Sequence, residues 1–524
     1  MPNIAHTKLG FLTWVYPTVL VLGVIALGHG QEQRQVAPNP NPPGNQRVPT
    51  AGVVRTPSVI GSLYCSNCHN HPENDPDQGL ICQMVEYPVW KTKDRHQIAF
   101  DVLFSPRAQD MGRRLGINVT DDRGACLKCH GIVVPKGVEP FRFVARNDGV
   151  TCVVCHGTQQ EWIAEHPIFN NPRWRDLTRA QKQDLKGMQD LWDPKTRAET
   201  CLSCHVGKIE QGKVLTHAMY AVGHPPLPSI EVAFFSEEEP RHWQYLREKP
   251  AAIQQHLGFN SNRLERTELV AVSGLATLTA SLELLTSSAA GGSPGAEWPD
   301  FSRYDCAACH HELSVANRSW MQSRSTKGAP GRPTAPAWPL ALVQLGLEAA
   351  DPDRASSWYQ TLQQRLHDFD EAMTERPFGN LAKAGTIARE IVTWANEPLG
   401  VLVQMAQAKP GENRQVVDRA RALRMLRRLG SIATESIPDY DSARQMAWAF
   451  RTIYHELEPN PEKRNPQINT ILDRLDQKLQ LSLNPRLPAG RKPIIDSLAE
   501  RLRAAAGYNP VDFQKDMSLL VKLL

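Results

Sequence analysis

Residues 126–157, CLKCHGIVVPKGVEPFRFVARNDGVTCVVCHG, carry the pentapeptide Cys-x-x-Cys-His twice, as Cys126/Cys129/His130 and Cys152/Cys155/His156. Outward from this stretch the same pattern recurs as Cys65/Cys68/His69, Cys201/Cys204/His205 and Cys306/Cys309/His310. Two thiols three positions apart can form thioethers with the two vinyl groups of one porphyrin, and the imidazole that follows can reach the iron as proximal ligand. Five copies therefore imply five covalently attached haems c. Zinc knuckles and thioredoxin-like redox pairs also use Cys-x-x-Cys, but neither requires a histidine directly after every second cysteine. The motifs use ten of the eleven cysteines, leaving no disulfide framework. Cys82 remains and reads as a small buried apolar side chain.

The N-terminal run FLTWVYPTVLVLGVIAL, residues 11–27, follows Lys8 and precedes Gly28 and Gly30, the layout of an export signal. Residues 1–30 are read as a signal peptide cleaved between Ala26 and Gly30, with retention as a membrane anchor as the alternative; Pro17 weakens a straight helix there. The expected location is the periplasm or another extracytoplasmic compartment. Residues 31–57 are rich in Pro, Asn, Gln and Gly and read as a linker. The remaining length suits two or three domains.

Composition divides that remainder at about residue 335. All five motifs lie in 58–334, the expected multihaem domain with little regular sheet, and no cysteine lies in 335–524. The second part is helical by period, so the fold class expected is mainly α with an all-α C-terminal domain. Met446, Phe450, Ile453, Tyr454 and Leu457 share one face of a helix that Asp441 is placed to cap, and Ile468, Ile471, Leu472, Leu475 and Leu479 repeat the pattern after Asn465-Pro466. Pro438, Pro459, Pro461, Pro466 and Pro485 fall between periodic segments, as in an antiparallel bundle.

The formal charge is +4, but two propionates per haem would add up to about ten negative charges and make the loaded protein acidic. Arg95, Arg107, Arg113, Arg114, Arg142 and Arg146 lie near the motifs as solvated charges or propionate partners. Arg419, Arg421, Arg424, Arg427 and Arg428 read as a solvated helix face, with an acidic docking partner as the alternative. No nucleic-acid partner is expected.

Function turns on the sixth ligands. A second axial histidine closes a haem to chemistry and leaves electron transfer, whereas an open position allows a small molecule to bind. In the haem region the candidates are His71, His96, His166, His217, His224, His242, His256 and His311. His96, His166, His217 and His224 are read as distal ligands. His71, His242 and His256 are taken as surface or supporting residues, and His311 as a hydrogen-bonding neighbour of His310. His217 and His224, seven apart, could share one face of a short helix ending at Gly223. His367 and His455 are lone histidines on amphipathic helices.

Glu86-Tyr87-x-x-Trp90 leading to His96, Gly149-Val150-x-Cys152-x-x-Cys155-His156-Gly157 with His166 beyond, THAMYAVGHPPLP at 216–228, Pro240-Arg241-His242-Trp243, and CAACHHEL at 306–313 together resemble the multihaem cytochromes of the c-554 type. That superfamily includes hydroxylamine oxidoreductase and pentahaem nitrite reductase. The resemblance covers about 60–330. It implies crossed ligation, with His166 completing the haem of His69, His96 that of His156, and His217 and His224 serving the haems of His205 and His310. The haem of His130 is then left without a partner, and in the four-haem relatives the corresponding haem is five-coordinate.

The reading is an exported electron-transfer cytochrome that works with redox partner proteins. The alternative is an enzyme acting on a small nitrogen or sulfur species at the His130 haem. Against it, no motif is Cys-x-x-Cys-Lys, and the eight haems of hydroxylamine oxidoreductase are not all present. A third role, structural or in assembly, falls to the C-terminal helices.

Overall fold

The helix Glu265–Ala290 runs through the main core, and its sequence explains why. LVAVSGLATLTASLELL is apolar on every side, so the helix must be surrounded. It is long and apolar enough to cross a membrane, yet 72% of its most apolar window is buried within the protein, as in a core helix. Around it pack the helices Pro194–His205, Val232–Glu238, Val343–Ala350, Leu381–Ala406 and Tyr440–Leu457. At Gly274 a Cβ would stand 2.6 Å from Leu342 O, and at Gly346 one would stand 2.7 Å from Ala271 O. The two glycines let the helix and the 342–350 segment touch backbone to backbone.

The computed structural model describes residues 59–71, 82–121, 126–134, 136–158, 160–166, 174, 176–291, 297–306, 309–310, 334–481 and 498–524. The expected signal or anchor, the linker and His311 lie outside them. Residues Thr56–Leu524 form one compact unit. The fold is mainly helical, as the sequence predicts, with no strand among the described residues. The main core joins Ala198, Leu202, Ile230 and Phe234 from the motif-bearing part to Ile391, Leu426, Trp448 and Met517 from the cysteine-free part. The change in composition near residue 335 therefore falls inside a shared core.

Local signals in the C-terminal helices read mostly as expected. Met446, Phe450, Ile453, Tyr454 and Leu457 are buried, as are Ile468, Ile471, Leu472, Leu475 and Leu479. Asn465 caps the second helix, with Pro466 at its first position. The cap of the first is Asp439, which accepts from Ser442 N at 2.6 Å. Asp441, expected in that role, is the second residue of the helix and pairs instead with Arg501 at 2.7 Å. The arginine run is likewise no solvated face. Arg421 is buried and donates to Ala349 O at 2.6 Å, Arg419 donates to Leu457 O, Arg424 pairs with Glu348 and Arg428 with Glu435. Arg427 is exposed.

One contact ties the start of the central helix to the bundle and makes stability depend on pH. Glu456 accepts from Arg266 N, Thr267 N and the Thr267 hydroxyl. Burial nevertheless pushes its carboxyl up from 4.5 to about 7. The folded state then holds a proton that the unfolded state releases, so stability falls as pH rises from about 4.5 and levels off above about 7. The loss is on the order of 3 kcal/mol. Glu456→Gln is expected to flatten this part of the pH profile in chemical denaturation at pH 5 and pH 8; an unchanged difference between the two would count against the assignment.

Candidate haem sites

Each motif sits on a single helical turn, which sets the two thiols side by side and the imidazole just beyond. Leu127–His130 and Cys152–His156 are short helices, and Pro194–His205 ends on the fourth motif, capped by Asp193 with Pro194 at its first position. Where no regular helix spans the motif, the turn still forms: His69 N bonds Cys65 O at 3.0 Å and His310 N bonds Cys306 O at 2.8 Å.

Four proximal histidines face a second imidazole. Ring centres are 6.3 Å apart for His69 and His166, 6.4 Å for His205 and His96, 6.3 Å for His130 and His224, and 6.4 Å for His310 and His217. Two imidazoles binding one metal from opposite sides stand on the order of 6 Å apart, from metal–nitrogen bonds of about 2 Å and about 1 Å from nitrogen to ring centre.

The outer nitrogens are held as a ligand's should be. His130 Nδ1 donates to Ala99 O at 3.0 Å, His166 Nδ1 to Trp162 O at 3.2 Å, and His224 Nδ1 to Pro225 O at 2.7 Å. A carbonyl only accepts, so Nδ1 carries the proton and Nε2 offers its lone pair to a metal. Carboxylates do the same elsewhere: Glu86 Oε2 lies 2.9 Å from His69 Nδ1, and Asp94 Oδ1 lies 3.1 Å from His96 Nδ1. Burial holds His166, His205 and His224 down at about 4, so they are neutral near pH 7. His96 is pushed up to about 9: burial opposes its charge, but Asp94 and Glu239 outweigh it.

The apolar side chains also fit a large flat cofactor. Among the described residues around the first three motifs the polypeptide buries two small clusters, Ile60, Val153, Trp162 and Ile163 in one and Phe100, Leu103, Val119 and Leu127 in the other. Leu63, Ile98, Val102, Phe104, Phe141 and Val144 stay exposed. This part of the chain lacks the self-made core seen further on, and porphyrin faces would supply one. Thiols of different motifs meet as well. Cys65 and Cys152 lie close enough to perturb each other's ionisation, as do Cys129 and Cys204. The first motif thus adjoins the third, and the second adjoins the fourth.

Several expectations change. The ten attachment thiols are not alike, although the sequence treats them so. Cys68 and Cys309, expected to hold haem in the same way as the others, are not drawn against a second motif among the described residues; Cys68 is half-buried and Cys309 is exposed. The local turn, not packing between motifs, sets their place: Cys68 N bonds Cys65 O at 3.2 Å, and Cys309 N bonds Cys306 O at 3.3 Å. Cys126 differs again and packs on the cluster around Phe100 and Leu127.

His96 faces His205, not His156. Its main chain does lie against the third motif, where Val150 N bonds His96 O at 2.9 Å, and Gly149, at φ 46°, is so close to Gln97 O that a Cβ would stand 2.3 Å away. Asp94, however, holds the ring on the side of the fourth motif. His224 faces His130, the site expected to lack a partner, and does not face His205. The reason is local: the helix His217–Ala221 ends early, Gly223 takes φ 115°, and Arg107 Nε donates to Gly223 O at 2.8 Å, so His217 and His224 diverge instead of sharing a face. His166 lies opposite His69, and His217 lies opposite His310. His71 and His256 are exposed, and Cys82 is exposed instead of buried.

The arginines near the motifs have protein partners. Arg113 and Arg114 pair with Asp110, Arg146 pairs with Asp101 and lies over Phe104, and Arg142 donates to Asn67; Arg95 is exposed. A residue that sequence reasoning missed is Arg501. It binds Asp441 and Leu227 O, and its charge is felt at Cys306. No spacing signal links position 501 to the fifth motif.

Paired thiols, proximal imidazoles and facing second imidazoles are the donor set that covalently attached haem would use. Residues 64–157, spanning the first three motifs, match the family of cytochrome c554 and c-prime. The match supports a cytochrome c with covalently attached haem and a part in electron transfer. The chain matches no curated protein and no solved structure.

Proposed function

We propose that the chain is an exported pentahaem cytochrome that passes electrons between redox partner proteins in the periplasm through closely packed, mostly bis-histidine haems. The observation that carries this reading is the recurrence of one spacing, 6.3–6.4 Å, between four pairs of imidazoles distant in sequence. Iron held on both faces exchanges electrons without binding substrate. The chain's own residues fix several of the ligand rings through their outer nitrogens, and burial keeps His166, His205 and His224 neutral.

The thiol contacts suggest an order for the route. The haem of His69 neighbours that of His156, and that of His130 neighbours that of His205. Cys155 feels the charges of Cys201 and Cys204, which joins the two pairs. Tyr220, 6.1 Å from the His224 ring and sensitive to the charge of Cys306, extends the series to the fifth motif. The described cysteine-free helices share the main core with Ala198, Leu202, Ile230 and Phe234 of the motif-bearing part.

The test is a haem count with a spin-state spectrum on the purified, loaded protein. The expected mass is that of the chain plus five haems, with low-spin signals dominating. Fewer haems, or high-spin iron at two or more sites, would overturn the proposal.

A further inference from the structure

Among the described residues, the four facing pairs leave one proximal histidine, His156, without a second ring at the same spacing. The supply of histidines near it is narrow. His96, His166, His217 and His224 are taken by other motifs, and His71 and His256 are exposed. His242 differs from all of these. Its Nδ1 is buried and has no hydrogen-bond partner, whereas the outer nitrogens of His69, His96, His130, His166 and His224 are all engaged. With Nδ1 unengaged, His242 offers that nitrogen as the ligand atom, where His166 and His224 offer Nε2.

The chain around His242 is tied to the third motif from both sides. On one side Glu239 Oε1 lies 3.5 Å from His96 Nδ1, and the main chain of His96 is bonded to Val150, just before Cys152. On the other, Gln189 N bonds His156 O at 2.9 Å, and the nearby Trp192 Nε1 donates to Gln244 O at 2.9 Å. Arg197 and Arg241 lie over the ring of Trp243, at 4.2 and 4.9 Å, and stiffen the segment.

We infer that His242 is the second axial ligand of the haem held by His156, so that Pro240–Gln244 is the clasp that closes the fifth site. This rests on the five-haem reading proposed above. It moves the last unassigned position from the second motif to the third and fills it, leaving no haem open to substrate.

The test uses the full-length loaded protein and reads spin state by electron paramagnetic resonance, with haem number by mass. The wild type is expected to show no high-spin haem. His242→Ala is expected to keep five haems and convert one in five to high spin, with added imidazole restoring the low-spin signal; His256→Ala, at an exposed position, is expected to change nothing. Five haems that all stay low-spin in His242→Ala would overturn the assignment, as would a high-spin haem in the wild type that the substitution leaves unaltered. If His242→Ala fails to assemble, His242→Met supplies a weaker axial ligand, and one of the five reduction steps is expected to move to higher potential. An unmoved set of five would again overturn it. A wild-type count other than five would instead sink the reading on which the inference rests.

Discussion

Trp448→Ala is expected to destabilise the protein by about 3–5 kcal/mol, the cost of emptying a large, fully enclosed aromatic site. Trp448 is 0% exposed. Its ring stacks on Phe234 at 5.4 Å, meets Phe235 edge-on at 5.4 Å and lies beneath the Arg444 guanidinium at 4.6 Å, while Nε1 donates to Leu481 O. Removing it leaves a cavity between the 232–238 helix and the 440–457 helix, which sit on opposite sides of the composition boundary. The effect also reaches a haem ligand, because Phe235 stands 6.0 Å from the ring of His205. Denaturant unfolding should therefore show a lower midpoint, and the potential of the His205 haem should shift where those of the other four do not. Trp448→Phe keeps the stacking and should lose less than half as much. A loss under about 1 kcal/mol for the alanine variant would mean that the two halves do not depend on this contact.

The turn at each motif was legible in the chain because it is local. Cys and His within five positions need only one helical turn, and each motif whose backbone is described forms that turn. What the spacing could not tell is which thiols meet another motif, as Cys65 and Cys129 do, and which, like Cys68 and Cys309, are placed by the turn alone. Amphipathic stripes were legible for the same local reason, as at Ile468–Leu479. Distal pairing was not, since it depends on where each loop sends its ring. Nothing at position 94 announces that Asp94 will turn His96 toward His205, and the divergence of His217 from His224 comes from one positive φ at Gly223 and a hydrogen bond from Arg107. His242 was read as a surface or supporting residue; the orphaned nitrogen appears only once the segment is folded. The single-face reading of the basic run failed similarly, because Arg421 finds buried carbonyls on a helix that is distant in sequence.

On the five-haem, bis-histidine reading proposed above, His224→Ala is expected to have the largest effect on function, turning the His130 haem from closed to open. In the intact chain that position is well defended. The His224 ring stands 6.3 Å from His130, its outer nitrogen is fixed on Pro225 O, Tyr220 lies 6.1 Å from it, and burial keeps it neutral with a value of about 4. The last of these matters in acid: protonation does not compete for the ligand until well below pH 5, so the closed state should persist across the range in which an exposed imidazole would already be charged. Without the side chain no other described histidine faces His130. One haem in five should become high-spin and bind carbon monoxide when reduced, while the wild type binds none at this site; added imidazole should close it again. Because Ala99 O still holds His130 Nδ1, attachment and the proximal bond should survive, and mass should show all five haems. Carbon monoxide binding by the wild type at the same stoichiometry, or a variant that stays wholly low-spin, would place the distal ligand elsewhere. The variant also separates the two functional classes: a conducting protein should lose throughput at an opened site, whereas an enzyme whose substrate had to displace His224 should gain turnover from its removal.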